Sequence, residues 1–152
     1  MQAEILAQPG PVRLWPMAVF SHSESAGHRG LERQRRVLIV EDDFLVAGEV
    51  EFVLAEAGFD VIGPAATAED AVRLAAETKP DLVIMDVRLA GPSDGIEAAT
   101  QIYRDLGIRS LFATAHSDSH TAARGKAANP LGWVAKPYSP ASLLEKINAL
   151  LD

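Results

Sequence analysis

From residue 37 onward, short unbroken apolar runs alternate with stretches whose apolar residues return every three or four positions. The runs VLIV (37–40), FDVIG (59–63), DLVIMD (81–86), SLFAT (110–114) and GWVA (132–135) predict five strands. The third is continuous enough for a central parallel position. Between them, Val46, Val50, Val53, Leu54 and Ala57 predict a helix closed by Gly58, and TAED from Thr67 predicts a capped helix to about Thr78. Ile96, Ala99, Ile102, Tyr103 and Leu106 predict a third helix ended by Gly107. The last begins at Ser139, with Pro140 in its first turn, and is expected to bury Leu143, Leu144, Ile147, Leu150 and Leu151. The segment after Thr114, AHSDSHTAARGKAANPLG, holds Gly125, Asn129 and Pro130 and predicts a fourth helix that is short, shifted or mobile.

Five strands alternating with helices predict an α/β fold in which a parallel sheet is covered on both faces. Ligands of such sheets bind beyond the carboxyl ends of the strands. Four of the five ends here carry reactive or charged groups: Glu41, Asp42 and Asp43 after the first, Asp86 at the third, Thr114 at the fourth and Lys136 at the fifth. Three adjacent carboxylates raise the cost of ionising one another, and a bound cation is the simplest remedy.

Composition narrows the classes. With 152 residues, 48% of them hydrophobic, the chain can form one core and about one domain, and with no cysteine it has neither disulfides nor thiolate metal ligands. The start MQAEILAQPG lacks a basic leader region, and VRLWPMAVF is too short and proline-broken to span a bilayer, which predicts a cytoplasmic protein without a membrane partner. Five arginines against three glutamates give residues 1–36 a charge of +2, so that residues 37–152 carry −9 of a net −7. An acidic body of that kind repels nucleic acid and attracts divalent cations. The basic ERQRR (32–36) reads as a solvated linker ending an N-terminal extension, 1–36, in front of the domain at 37–152. His116 and His120 stand at i, i+4 but have no third ligand at suitable spacing, and they read as solvent-facing loop residues.

The motifs VEDD, VIMDVRL, FATA and KP, in this order over residues 36–152, resemble the receiver domain of two-component response regulators, of the chemotaxis-regulator type. The resemblance implies a flavodoxin-like (βα)5 fold with strand order 2-1-3-4-5. It implies that Asp86 accepts a phosphoryl group from a sensor histidine kinase or phosphotransfer protein. Mg²⁺ would be held by Asp42, Asp86 and the backbone carbonyl of Arg88, with Glu41 acting through water. Thr114 would supply the switch hydroxyl, the backbone N–H of Ala115 would bind phosphoryl oxygens, and Lys136 would be the invariant lysine, aimed inward by a cis Pro137. Trp133 stands where receivers keep a smaller switch aromatic. Asp43 is the extra acid, expected to face solvent at the start of the first helix.

The expectation is of a single-domain regulator that signals to a downstream protein by contact and is no enzyme beyond transfer onto its own aspartate. A relay intermediate or phosphate sink is an alternative within that class, and an unphosphorylated receiver-like binding module lies in another. A haloacid-dehalogenase-like phosphatase also combines a strand-end Asp with Mg²⁺. It requires a second acid two residues on, where this chain has Arg88.

Overall fold

The computed structural model describes residues 33–116 and 118–152. Most of the predicted extension, 1–36, with Trp15, His22 and His28, lies outside the described residues. Within them, five strands and five helices alternate: β1 (Arg36–Val40), α1 (Phe44–Glu56), β2 (Asp60–Ala65), α2 (Ala68–Thr78), β3 (Leu82–Asp86), α3 (Gly95–Leu106), β4 (Ser110–Thr114), α4 (Ser119–Gly125), β5 (Gly132–Ala135) and α5 (Pro140–Leu151). The strands form one parallel sheet in the order β2-β1-β3-β4-β5, as expected.

Strand alternation sorts the core into two layers. Leu38, Val40, Val83, Met85 and Phe112 point toward α2 and α3, where they meet Ala71, Ala75, Ile96, Ala99 and Ile102. Val37, Ile39, Leu82, Ile84 and Leu111 point the other way, toward Ala47, Val50 and Leu54 of α1 and Leu143 and Ile147 of α5. Because both faces are covered, β1, β3 and β4 read as unbroken apolar runs.

Local differences from the sequence reading have physical causes. The second strand is expected to end at Gly63, yet it runs on through Pro64 to Ala65. Gly63 lies at φ +103°, and a β-carbon there would come within 2.7 Å of the Ile39 carbonyl oxygen; the register shifts opposite this point, between Leu38 and Val40. Arg36 belongs to β1 rather than to a solvated linker. Its backbone N–H donates to Asp81, and its guanidinium donates to Asp60 at 3.1 Å and to the Thr78 carbonyl. In α1 the buried residues are Ala47, Val50 and Leu54, while Ala57 is exposed. This helix is apolar on its outer side too, where Phe44, Leu45 and Phe52 are exposed.

Caps set the helix starts. Thr67 accepts from the Asp70 N–H, but the reciprocal capping box lies at α3, between Asp94 and Glu97. Gly95, the first residue of α3, is pressed onto the end of β3: a β-carbon there would lie 1.9 Å from the Asp86 carbonyl oxygen. The Gly95 N–H donates to the Val87 carbonyl at 2.8 Å. Helix α4 is short, seven residues followed by a 3-10 turn, Lys126–Ala128, and Asn129 ends it at φ 48°.

Candidate phosphoacceptor site

The carboxyl ends of β1, β3, β4 and β5 enclose a cavity of about 410 Å³ lined by Glu41, Asp42, Asp43, Asp86, Val87, Arg88, Thr114, Ala115, His116, Asp118, Thr121 and Lys136. Parallel strands in register bring these ends together: Asp86 pairs with Ala113, and Thr114 with Ala135, the residue before Lys136. Of the residues singled out from sequence, Glu41, Asp42, Asp43, Asp86, Arg88, Thr114, Ala115, His116 and Lys136 line this space, and Trp133, Pro137 and His120 do not.

The Lys136 ammonium lies 3.0 Å from Asp86 Oδ2 and 3.1 Å from Glu41 Oε1. The peptide bond between Lys136 and Pro137 is cis. Asp86 Oδ1 accepts the Arg88 N–H at 3.3 Å, and Glu41 Oε2 accepts the Asp43 N–H at 3.1 Å. Glu41 and Asp86 are buried, whereas Asp42 is exposed. Burial pushes the Glu41 carboxyl above its ordinary value and the charge of Asp86 adds to this, against the opposing pull of the Asp43 N–H and Lys136. For Lys136, burial acts to lower the pKa, and the hydrogen bonds it donates to Asp86 and Glu41 outweigh this, so the ammonium holds its proton more firmly than usual.

Glu41, Asp42 and Asp86 can each place a carboxylate oxygen within 4.8 Å of the others. Three carboxylates against one ammonium leave an excess of negative charge, and an all-oxygen donor set fits a hard divalent cation such as Mg²⁺. Both Glu41 oxygens already accept hydrogen bonds, which suits a less direct role for it than for Asp42. Neither histidine joins this group. Both are exposed, and His120 lies in the first turn of α4 rather than in a loop.

The Thr114 hydroxyl donates to the His116 carbonyl at 2.9 Å and accepts the His116 N–H at 3.1 Å, which ties it to the segment leading into α4. Trp133 is set back from the cavity and stacks on Phe112, ring centroids 4.6 Å apart. Its bulk is accommodated by Gly125 of α4, where a β-carbon would come within 2.7 Å of the indole. Asp43 caps α1 by accepting the Leu45 and Val46 N–H groups, and it also borders the cavity. Asp118 and Thr121 are cavity residues that the sequence reading missed. The only signal for them was the Asp-x-x-Thr cap, in which Asp118 accepts the Thr121 N–H at 2.7 Å.

Tyr138, just beyond Lys136, is held neutral: burial, aided by the charge of Glu41, pushes its phenol from 10.0 up to about 12. The folded state therefore keeps a proton that the unfolded chain gives up, and stability falls as pH rises from 10.0 toward 12. The expected loss is about 2 kcal/mol across that interval. Urea denaturation of the unaltered chain and of Tyr138→Phe checks it, the variant showing a shallower alkaline decline.

The family model for the response regulator receiver domain matches residues 37–148. The transcriptional regulatory protein PdtaR of Mycobacterium tuberculosis is 37% identical over 113 residues, 74% of this chain and 55% of that protein. The phyllosphere-induced regulator PhyR of Methylorubrum extorquens is 33% identical over 116 residues, 76% of this chain and 43% of that protein. The chain thus spans about half the length of these curated relatives. A LuxR-family two-component response regulator from an Aurantimonas species is 37% identical, covers 78% of this chain and 86% of its own, and has a TM-score of 0.68. A CheY-like receiver domain protein from Methanospirillum hungatei has a TM-score of 0.73 at 26% identity, covering 79% of this chain and 95% of its own. With the five-stranded order and the acidic cavity, these matches show that the chain belongs to the response regulator receiver domain family.

Proposed function

We propose that Asp86 accepts a phosphoryl group, and that the protein passes the signal on by a conformational change read through contact with a downstream protein. The observation carrying this reading is the buried Asp86 carboxylate at the cavity floor, held between the Lys136 ammonium and the Arg88 N–H beside two further acids. The donor is a sensor histidine kinase or phosphotransfer protein in the cytoplasm. An Asp86 oxygen bonds to phosphorus as the N–P bond of a phosphohistidine breaks; the imidazole nitrogen keeps the electron pair and takes up a proton.

This chain's residues supply most of the environment. Lys136 fixes the acceptor and offsets its charge, and the Ala115 N–H and Thr114 hydroxyl are donors for phosphoryl oxygens. Asp42, Asp86 and the Arg88 carbonyl would hold Mg²⁺, with Glu41 in a less direct role, and the ion would supply positive charge against those oxygens. Arg88 stands where a haloacid-dehalogenase-like phosphatase needs its second acid, which favours transfer onto Asp86 over turnover of external substrates.

Acetyl phosphate with Mg²⁺ is expected to add one phosphoryl group per chain, detected by intact mass, and EDTA to prevent it. A histidine kinase of the source organism should do the same, faster. Absence of incorporation from both donors would leave a receiver-like binding module as the function.

A further inference from the structure

Helix α4 is anchored very differently at its two ends. Its start follows Thr114 by five residues, among which Ala115, His116 and Asp118 are exposed and His116 is bonded to the Thr114 hydroxyl. Its end is fixed to the body. Arg124 forms an ion pair with Asp94 at the start of α3, 2.9 Å apart, and Gly125 lies against the Trp133 indole. Beyond the turn, Arg109 donates to the carbonyls of Asn129 and Pro130.

For Thr114 to donate to a phosphoryl oxygen, its hydroxyl must leave the His116 carbonyl, and the segment that starts α4 is then free to shift. A shift of α4 works against whatever holds its far end. Gly125 and Trp133 meet through a flat, apolar contact that can slide, whereas an ion pair has a preferred separation. Asp94 is independently fixed, because it caps α3 by accepting the Glu97 N–H at 3.0 Å.

We propose that the Arg124–Asp94 ion pair is a latch that holds α4 in the arrangement of the unphosphorylated protein and thereby opposes phosphorylation at Asp86. This rests on the phosphoacceptor reading. A ligand shifts such an equilibrium only by its differential affinity for the two arrangements, so a contact made in one alone weakens apparent binding. The pair is about one-third exposed on each side, which places its effect in the range of surface pairs.

The test is the affinity of the full chain for beryllofluoride with Mg²⁺, a phosphoryl mimic, followed by Trp133 fluorescence in a Trp15→Phe background. Arg124→Gln should bind it about two- to fivefold more tightly, the range expected for losing one surface pair. Asp94→Asn keeps a capping side chain and should give the same gain, and the double variant should gain no more than either. Arg124→Lys should lie near the unaltered chain. If the unaltered chain binds and Arg124→Gln and Asp94→Asn bind no more tightly, the latch is overturned while the phosphoacceptor reading stands. If the unaltered chain does not bind the mimic, both are overturned.

Discussion

Asp86→Asn is expected to abolish phosphorylation by acetyl phosphate completely and, in metal-free buffer, to make the protein more stable by about 1 kcal/mol. Both effects have one origin. Asparagine keeps the shape of the side chain, and its carbonyl can still accept from the Arg88 N–H; the Lys136 ammonium loses its bond to Asp86 Oδ2 and keeps Glu41, which leaves a balanced pair in place of two carboxylates against one cation. What disappears is a buried negative charge that raises the cost of ionising Glu41. Acceptor sites that crowd like charges give up stability for chemistry, and removing the charge returns it. Urea denaturation with and without Mg²⁺ separates the effects: the gain should shrink as Mg²⁺ is added, because the dication offsets the same repulsion. Residual labelling of the variant would place the acceptor elsewhere, and lower stability in metal-free buffer would refute the electrostatic account.

Lys136→Met should have the opposite effect on stability. The ammonium, 24% exposed, is the only cation bonded to Glu41 and Asp86 among the described residues, whose side chains are 5% and 8% exposed. Removing one partner of such a cluster leaves buried charge uncompensated, and a loss of about 2–4 kcal/mol at neutral pH is expected. Mg²⁺ should restore part of it. The sign of the pH dependence follows from Glu41. As its folded pKa is raised, the cost of ionising it is absent below the ordinary 4.5 and grows as pH rises above that value. The deficit of Lys136→Met should therefore narrow as pH is lowered toward 4.5. A deficit unchanged by both pH and Mg²⁺ would mean that the lysine contributes packing rather than charge. Phosphorylation should fall steeply, for want of the cation that fixes the acceptor.

The strand ends were legible because four of the five apolar runs stop at a polar residue, and parallel pairing leaves those residues nowhere to go but one edge. The order in which the strands pair came with the family resemblance, since periodicity says which residues are buried and not which strand lies next to which. Arg36 was misplaced because a run of charges looks solvated until its partners, Asp60, Asp81 and the Thr78 carbonyl, are brought beside it from distant parts of the chain. The outer apolar face of α1 blurred its helical period, and Ala57, counted in that period, is the exposed residue that ends the helix. Trp133 could be placed on β5 but not against Gly125, because that contact depends on where a seven-residue helix settles. Asp118 and Thr121 reach the cavity for the same reason.

The contact between Gly95 and the Asp86 carbonyl bears on how such a protein could be re-engineered. With no space for a side chain at 95 and a hydrogen bond from its N–H to Val87, the two ends of the loop between β3 and α3 are fastened to each other. Between them Arg88, Ala90 and Pro92 are exposed, while Ala90 bridges to Thr67 and Gly91 lies at φ +93°. On the phosphoacceptor reading proposed above, libraries that vary Arg88 and Pro92 would test how the rim of the site treats a phosphoryl group while the acceptor atom keeps its coordinates. A designer who altered residue 95 would be moving the origin from which every other distance in the site is measured.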